Sequence, residues 1–219
     1  MTDAPTGNLL FGGIDTAKFQ GNLKRVKIEL NPDRNLFDRL VIPLTSVKFE
    51  APGTRPKAAL DKVPVLLDSG STKSYLSAKV VDQMKLSLNT TFDEALKENI
   101  LPCDIGNSGT KITLQFGGVD GPILPLDIGQ LALPLDKPAV FESGPNQGKQ
   151  KCRLGVEERK AGARVQVIGD SILRSAYVVY DLANNEIAIA PTKFNATESK
   201  IVPFASMSAV IPSSTPVKS

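Results

Sequence analysis

Val65-Leu66-Leu67-Asp68-Ser69-Gly70-Ser71-Thr72 is an apolar strand that delivers one carboxylate into a tight glycine turn crowded with hydroxyls. Burial raises the pKa of a carboxylate unless hydrogen bonds to its charged form pull it back. Gly70 can present backbone N–H groups and Ser71 a hydroxyl, so this turn is suited to holding a carboxylate. Glycine at position 70 permits the turn conformation and lets another backbone approach, while Ser69 can hydrogen-bond inward and brace the loop. An Asp-Ser-Gly turn is common in isolation. The apolar run Val63 to Leu67 before it, and Tyr75-Leu76 leading into a helix after it, are more than a simple turn requires.

A hundred residues later, Val167-Ile168-Gly169-Asp170-Ser171-Ile172 runs on to Ala176-Tyr177-Val178-Val179-Tyr180-Asp181 and reads as the segment that packs beside the turn. Around these two stretches, 17 glycines and 16 prolines punctuate short apolar runs, which favours a mainly β protein. Strands are predicted at Asn8 to Phe11, Leu23 to Leu30, Leu40 to Phe49, Pro64 to Leu67, Lys111 to Phe116, Gln166 to Ile168, Ala176 to Asp181 and Glu186 to Ala190. Asn184-Asn185 supplies the hairpin turn between the last two. Helical spacing is best from Ser77 to Leu88, where Val80, Val81, Met84 and Leu88 share a face and Ser77 can cap the start. A shorter helix is predicted from Phe92 to Asn99, and a turn after Gly169. Asn31 to Asp38 and the charged stretch Gly144 to Gly162 read as surface insertions. Beyond Phe204 the Ser, Thr and Pro content rises, which predicts a disordered stalk or linker.

Composition narrows the chemistry. The chain has 219 residues, 41% of them hydrophobic, enough to bury a core of one domain or a large lobe. Its formal charge of +3, from 26 basic and 23 acidic residues, is too small and scattered to imply a nucleic acid partner. Histidine is absent, which excludes Ser-His-Asp and Cys-His nucleophiles, a histidine general base and a His-ligated zinc. Carboxylates must therefore carry any acid-base work, and neither a metal nor a cofactor is implied. Gly169-Asp170-Ser171-Ile172 imitates a lipase-like nucleophile motif, but without histidine Ser171 has no base and reads as structural. Lys62, Lys73 and Lys79 near the turn read as solvated surface lysines rather than partners of a catalytic serine.

Compartment signals conflict. No run reaches the roughly 18 apolar residues of a membrane span. Met1-Thr2-Asp3-Ala4-Pro5 carries no signal sequence, as in a cytosolic protein. Yet Asn89-Thr90-Thr91 and Asn195-Ala196-Thr197 are N-glycosylation acceptors. Cys103 and Cys152 on their own are compatible with two free buried thiols.

Four separated segments give a specific resemblance. Leu9-Leu10-Phe11-Gly12-Gly13-Ile14-Asp15-Thr16-Ala17-Lys18 with Gly21-Asn22-Leu23, the Asp68 turn, the cysteine pair, and Val167 to Pro191 occur in one order. In that order they resemble the carboxyl-terminal lobe of a pepsin-family (A1) aspartic protease, most like the fungal candidapepsins and yapsins. Tyr177 to Ile187 is especially close to the closing hairpin of that family. The resemblance covers residues 8 to 205, leaving an amino-terminal remnant at 1 to 7 and a tail at 206 to 219. It implies a single lobe of the bilobal acid protease β-barrel with a few short helices. It also implies a disulfide between Cys103 and Cys152, and with the two acceptor asparagines a secreted or cell-surface glycoprotein whose start has been lost or removed.

The implied activity is aspartic endopeptidase chemistry. Asp68 would be one of two carboxylates that share a proton and activate a water against a peptide carbonyl, the arrangement for which pepsin-type dyads are the reference case. Ser69 would link the two active-site loops, Gly70 would meet the substrate backbone, Ser71 would steady the outer oxygen of Asp68 or the substrate, and Thr72 would line a subsite. Val167, Ile168 and Gly169 would support the catalytic loop. Ser69 replaces the threonine of many members and keeps the hydroxyl. A second apolar-apolar-Asp-(Thr/Ser)-Gly is missing, and Asp104-Ile105-Gly106 and Asp127-Ile128-Gly129 lack the hydroxyl residue and the apolar strand that would let them replace it. The partner carboxylate would come from an amino-terminal lobe or a second chain, and the chain alone is expected to be inactive. The alternatives are a retropepsin-like homodimer and an inactive protein-binding lobe.

Overall fold

The computed structural model describes residues 7–59 and 62–217. The remnant expected at 1 to 7 therefore lies, except for Gly7, outside the described residues. The elements in chain order are β1 (Gly13–Asp15), β2 (Leu23–Lys27), β3 (Val41–Glu50), β4 (Lys57–Ala59), β5 (Val63–Leu67), β6 (Ser74–Leu76), α1 (Ala78–Ser87), β7 (Thr91–Asp93), β8 (Glu98–Pro102), β9 (Lys111–Phe116), β10 (Ile123–Pro125), β11 (Ala132–Pro134), β12 (Lys151–Leu154), β13 (Val156–Glu158), β14 (Gln166–Ile168), α2 (Asp170–Leu173), β15 (Ala176–Asp181), β16 (Glu186–Pro191), β17 (Ile201–Pro203) and β18 (Ser214–Pro216). The protein is mainly β, as the sequence predicts, and its architecture is that of a single pepsin-like lobe. The sheets remain open rather than closing into a barrel.

The main sheet runs β10-β9-β3-β5-β14-β6-β13, with β4 added along β3. Most neighbours are antiparallel, but β14 lies parallel to β5, in the register Val65↔Gln166, Leu66↔Val167 and Leu67↔Ile168. β13 lies parallel to β6. These two non-local pairings bring the Asp68 turn and the Gly169 segment together. β3 alternates buried and partly exposed residues along most of its length, the period expected of a strand with one face in the core. Its Ile42 and Leu44 meet Val65, Leu67, Leu114 and Ile168 in one hydrophobic cluster. Each such side chain stabilises the fold by about 1.5–3 kcal/mol through burial.

Helix α1 closes this core with Val80, Val81 and Met84, the face its spacing predicts. Ser77 stands at the N-cap, but its hydroxyl makes no capping bond. Its N–H instead donates to Gln166 Oε1 at 2.9 Å, tying the helix start to β14. A second sheet, β11-β12-β8-β7, carries the disulfide Cys103–Cys152, so the pairing implied by the resemblance is present. A third, β15-β16-β2-β18, contains the predicted hairpin with Asn185 at φ 51° in its turn.

Four expectations are corrected. Asn8 to Phe11 is not a strand: Leu9 and Phe11 are exposed, and pairing begins only at Gly13, which lies against Pro203. Phe92 to Asn99 is not a helix but the hairpin β7–β8. There the Asp93 carboxylate accepts from the N–H groups of Ala95 and Leu96, both at 3.1 Å, and makes a turn of what reads as a helical start. Gly144 to Gly162 is not a surface insertion throughout, because Cys152, Leu154 and Val156 are buried in β12 and β13. Their charged neighbours Lys151, Arg153 and Glu157 occupy the opposite faces and disguise a period-two pattern. The tail beyond Phe204 is not a free stalk over its described length, since Ile211 is buried and β18 pairs with β2. By contrast, Asn31 to Asp38 is the exposed loop expected, anchored by buried Asn31.

Candidate active site

Asp68 leaves the edge of β5 half-buried, with both carboxylate oxygens engaged. Gly70 N–H donates to Oδ1 at 3.0 Å, and the Ser71 hydroxyl donates to Oδ2 at 2.8 Å. The main chain closes the same turn, with Ser71 N–H on the Asp68 carbonyl at 3.2 Å and Asp68 N–H on the Ile168 carbonyl at 3.0 Å. Both side-chain bonds are donated to the carboxyl group, one to each oxygen. Ser69, Gly70 and Thr72 are exposed around the carboxylate, while Ser71 is half-buried. The turn thus presents an oriented carboxylate at an open surface.

The segment after β14 holds this turn from behind. Asp170 N–H donates to the Ser71 carbonyl at 2.7 Å, and Ser171 N–H to the Thr72 carbonyl at 3.1 Å. Gly169 N–H donates to Ser74 Oγ at 3.0 Å. A Cβ on Gly169 would lie 2.5 Å from the Ser71 carbonyl oxygen and closer still to that of Lys73. Glycine is required there by the approach of two backbones, not by φ. Val167 and Ile168 supply the parallel register with Leu66 and Leu67.

Behind that contact, sequence reading missed a buried serine pair. Ser74 Oγ and Ser171 Oγ are 3.0 Å apart, and Ser171 Oγ donates to the Gly155 carbonyl at 2.7 Å. Ser171 is thus a buried brace joining β6, α2 and the β12–β13 junction, in keeping with the structural role its lack of a base predicts. Lys73 is also more than a solvated lysine. Its ammonium is largely covered and lies between Glu98 at 2.9 Å and Glu157. Burial pushes this lysine down, but the bonds to the two carboxylates outweigh it and hold its pKa above the ordinary value. Lys62, by contrast, is exposed as expected.

Tyr180 on β15 is a further neighbour of the carboxylate. Burial, and then the negative charge of Asp68, hold its phenol above its usual pKa. The signal for it was present only as the pattern of β15, which gives no hint that Asp68 lies within electrostatic reach of this tyrosine. Asp104 pairs with Lys149 at 3.2 Å, and Asp127 accepts from Gly129 N–H at 3.0 Å. Both have local structural employment, consistent with their rejection as replacement carboxylates. Asn89 and Asn195 both lie exposed in left-handed turns, at φ 50° and 57°.

Residues 1–192 match the model of the family described as eukaryotic aspartyl protease. Among curated relatives, the chain is 36% identical over 220 residues to the probable aspartic-type endopeptidase OPSB of Arthroderma benhamiae, covering 98% of this chain and 43% of that protein. It is 35% identical to the protein of the same description from Aspergillus fumigatus, covering 98% of this chain and 42% of that one. Secreted aspartic protease 9 of Candida albicans is 29% identical, across 90% of this chain and 34% of its own length. The chain therefore spans less than half the length of these relatives.

Proposed function

This chain belongs to the eukaryotic aspartyl protease family, and we propose that it is the carboxyl-terminal lobe of an aspartic endopeptidase in which Asp68 is one of the two catalytic carboxylates. The other is supplied by an amino-terminal lobe or a second chain. The observation that carries this reading is the Asp68 turn itself: a half-buried carboxylate held on both oxygens, exposed on its outer side, and fixed from behind by a glycine contact a hundred residues away.

In the reaction the two carboxylates share one proton. The ionised member takes a proton from a water as that oxygen bonds to the peptide carbonyl carbon, and the protonated member gives its proton to the carbonyl oxygen. Transfer of a proton to the amide nitrogen then lets the C–N bond break, leaving a carboxylic acid and an amine. Gly70 N–H and the Ser71 hydroxyl keep Asp68 oriented through these steps. Ser69 faces the partner lobe, and Gly70 and Thr72 meet the peptide. The acceptor asparagines, the disulfide and the name of the Candida relative support a secreted or cell-surface location, with Asn89 and Asn195 glycosylated.

The test is Asp68→Asn in the full-length protein, which keeps the size and shape of the side chain. Peptide hydrolysis at acid pH is expected to fall by about 10²–10⁴-fold or more, as for loss of a positioned acid-base group, with an unchanged circular dichroism spectrum. Hydrolysis retained by the folded variant overturns the role of Asp68.

A further inference from the structure

Helix α1 ends at Ser87, and two residues on Asn89, in a left-handed turn, hands the chain to β7. Beside that turn lies a cavity of about 580 Å³ that contains no residue of the Asp68 loop. Its volume falls within the roughly 300–1,000 Å³ of small-molecule sites. Asn89 and Thr91, the two defining members of the acceptor triplet, line it. So do Phe92 and Phe141, one from β7 and one from the facing loop. The ion pair Lys151–Asp93 at 2.8 Å also lines it, with the Lys151 ammonium 5.6 Å from the centre of the Phe141 ring. The exposed Glu142 adds a carboxylate to the lining.

This is a mixed surface of a particular kind. Phe92 is 52% exposed, a large apolar ring left accessible in the cavity lining. Around it stand acceptors and a donor that suit hydroxyl groups and an acetamide. A pyranose ring has one face of C–H bonds, which packs on the electron-rich face of an aromatic ring, and an edge of hydroxyls that seek such polar groups. The asparagine that would carry a sugar is part of the wall.

We propose that this cavity is the seat of the first sugars of an N-glycan attached to Asn89 of the same chain, with the N-acetylhexosamine next to the asparagine stacked on Phe92. The inference rests on the secretory reading above, and it adds a site that reading does not contain. Attachment through the protein's own asparagine makes the binding intramolecular, so even a weak stacking contact is populated at the high effective concentration of a short tether. The glycan then covers Phe92 and clamps the α1–β7 turn against the loop at Phe141. Asn195 provides an internal comparison, because it stands on an exposed turn and is not among the residues lining this cavity.

The experiment secretes the full-length protein from a yeast and follows both glycopeptides by mass spectrometry during digestion with an endoglycosidase that cuts between the first two sugars. The expected result is that both asparagines are occupied and that the Asn89 glycan of the native protein is trimmed about tenfold more slowly than that of Asn195, the ratio that about 1.4 kcal/mol of protection produces. Denaturation abolishes the difference. Phe92→Ala, which alters an exposed ring and leaves the core intact, brings the two native rates to within about twofold of one another. Equal native rates in the unaltered protein, or Asn195 occupied with Asn89 bare, overturn the proposal while leaving the secretory reading standing. Neither asparagine occupied overturns both.

Discussion

At Gly169 the fold and the chemistry meet in one missing methyl group. A Cβ there would strike the carbonyl oxygens of Ser71 and Lys73, both backbone atoms of the turn that carries Asp68. The Ser71 carbonyl cannot move without breaking the bond from Asp170 N–H, and the Thr72 carbonyl between the two is held by Ser171 N–H. Gly169→Ala is therefore expected to destabilise the protein by about 2–4 kcal/mol, the upper range for overpacking a close-packed site, measured by urea unfolding. Any folded fraction should lose hydrolysis in the full-length protein, because the turn must retreat to make room. Much of this site was legible in the sequence. Asp68, Gly70 and Ser71 declare themselves because local hydrogen bonds within four residues define the turn. Tyr180, the Ser74–Ser171 pair and the covered Lys73 do not, because their roles come from residues 25 to 112 positions apart in the chain, read from contacts such as Lys73 to Glu98 and the influence of Asp68 on Tyr180.

Among the elements, those whose ends are set by pattern were easiest to read. β9, β14 and β15 have the predicted bounds, and α1 keeps its predicted apolar face. The failures share a cause, namely a local signal overruled by tertiary pairing. β12 and β13 were hidden by charges on their outer faces, and β7–β8 by an Asp93 that could equally begin a helix. The tail was hidden by composition. Its Ser, Thr and Pro content says little, while one buried Ile211 packs with Ile14, Leu23 and Ala188 in a separate small core. Ending the chain after Ala205 removes Ile211 and β18, and is expected to cost at least about 1.5–3 kcal/mol, the burial of one large aliphatic side chain. The check is a lower midpoint in urea, together with loss of amide exchange protection in β2. A midpoint equal to that of the intact chain would mean the tail is only resting there.

For the molecule as a whole, acidity is the condition that its electrostatics oppose. Burial pushes Asp15 up, but Ser199 Oγ at 2.7 Å, Lys200 N–H at 2.7 Å, Ala17 N–H at 3.1 Å and the charge of Lys18 bring it below its ordinary value. Glu186 is likewise raised by burial and lowered further by Lys27 and Arg25, while Lys151 and the N–H groups of Leu96 and Ala95 draw Asp93 down. A carboxylate with a depressed folded pKa contributes stability above its unfolded value, and that contribution is lost as pH falls through the folded one. The melting temperature should thus be flat near neutrality and fall as the pH drops below about 4, the unfolded carboxylate range. Asp15→Asn should lower the neutral melting temperature and flatten the acid slope. A variant with an unchanged slope would remove Asp15 from the account.

The parallel pairing of β5 with β14 has a consequence in time. Residues 65 to 68 leave the ribosome with β3 available on one side only, because β14, the strand that covers their other edge, is encoded about a hundred codons later. At about 5–20 residues per second, that partner is synthesised roughly 5–20 seconds afterwards. Throughout that interval the growing chain carries its acidic turn without the scaffold that orients it. The backing of the Asp68 turn is therefore withheld until the Gly169 segment has emerged, and a ribosome that stalls earlier releases a product in which that turn has never been braced.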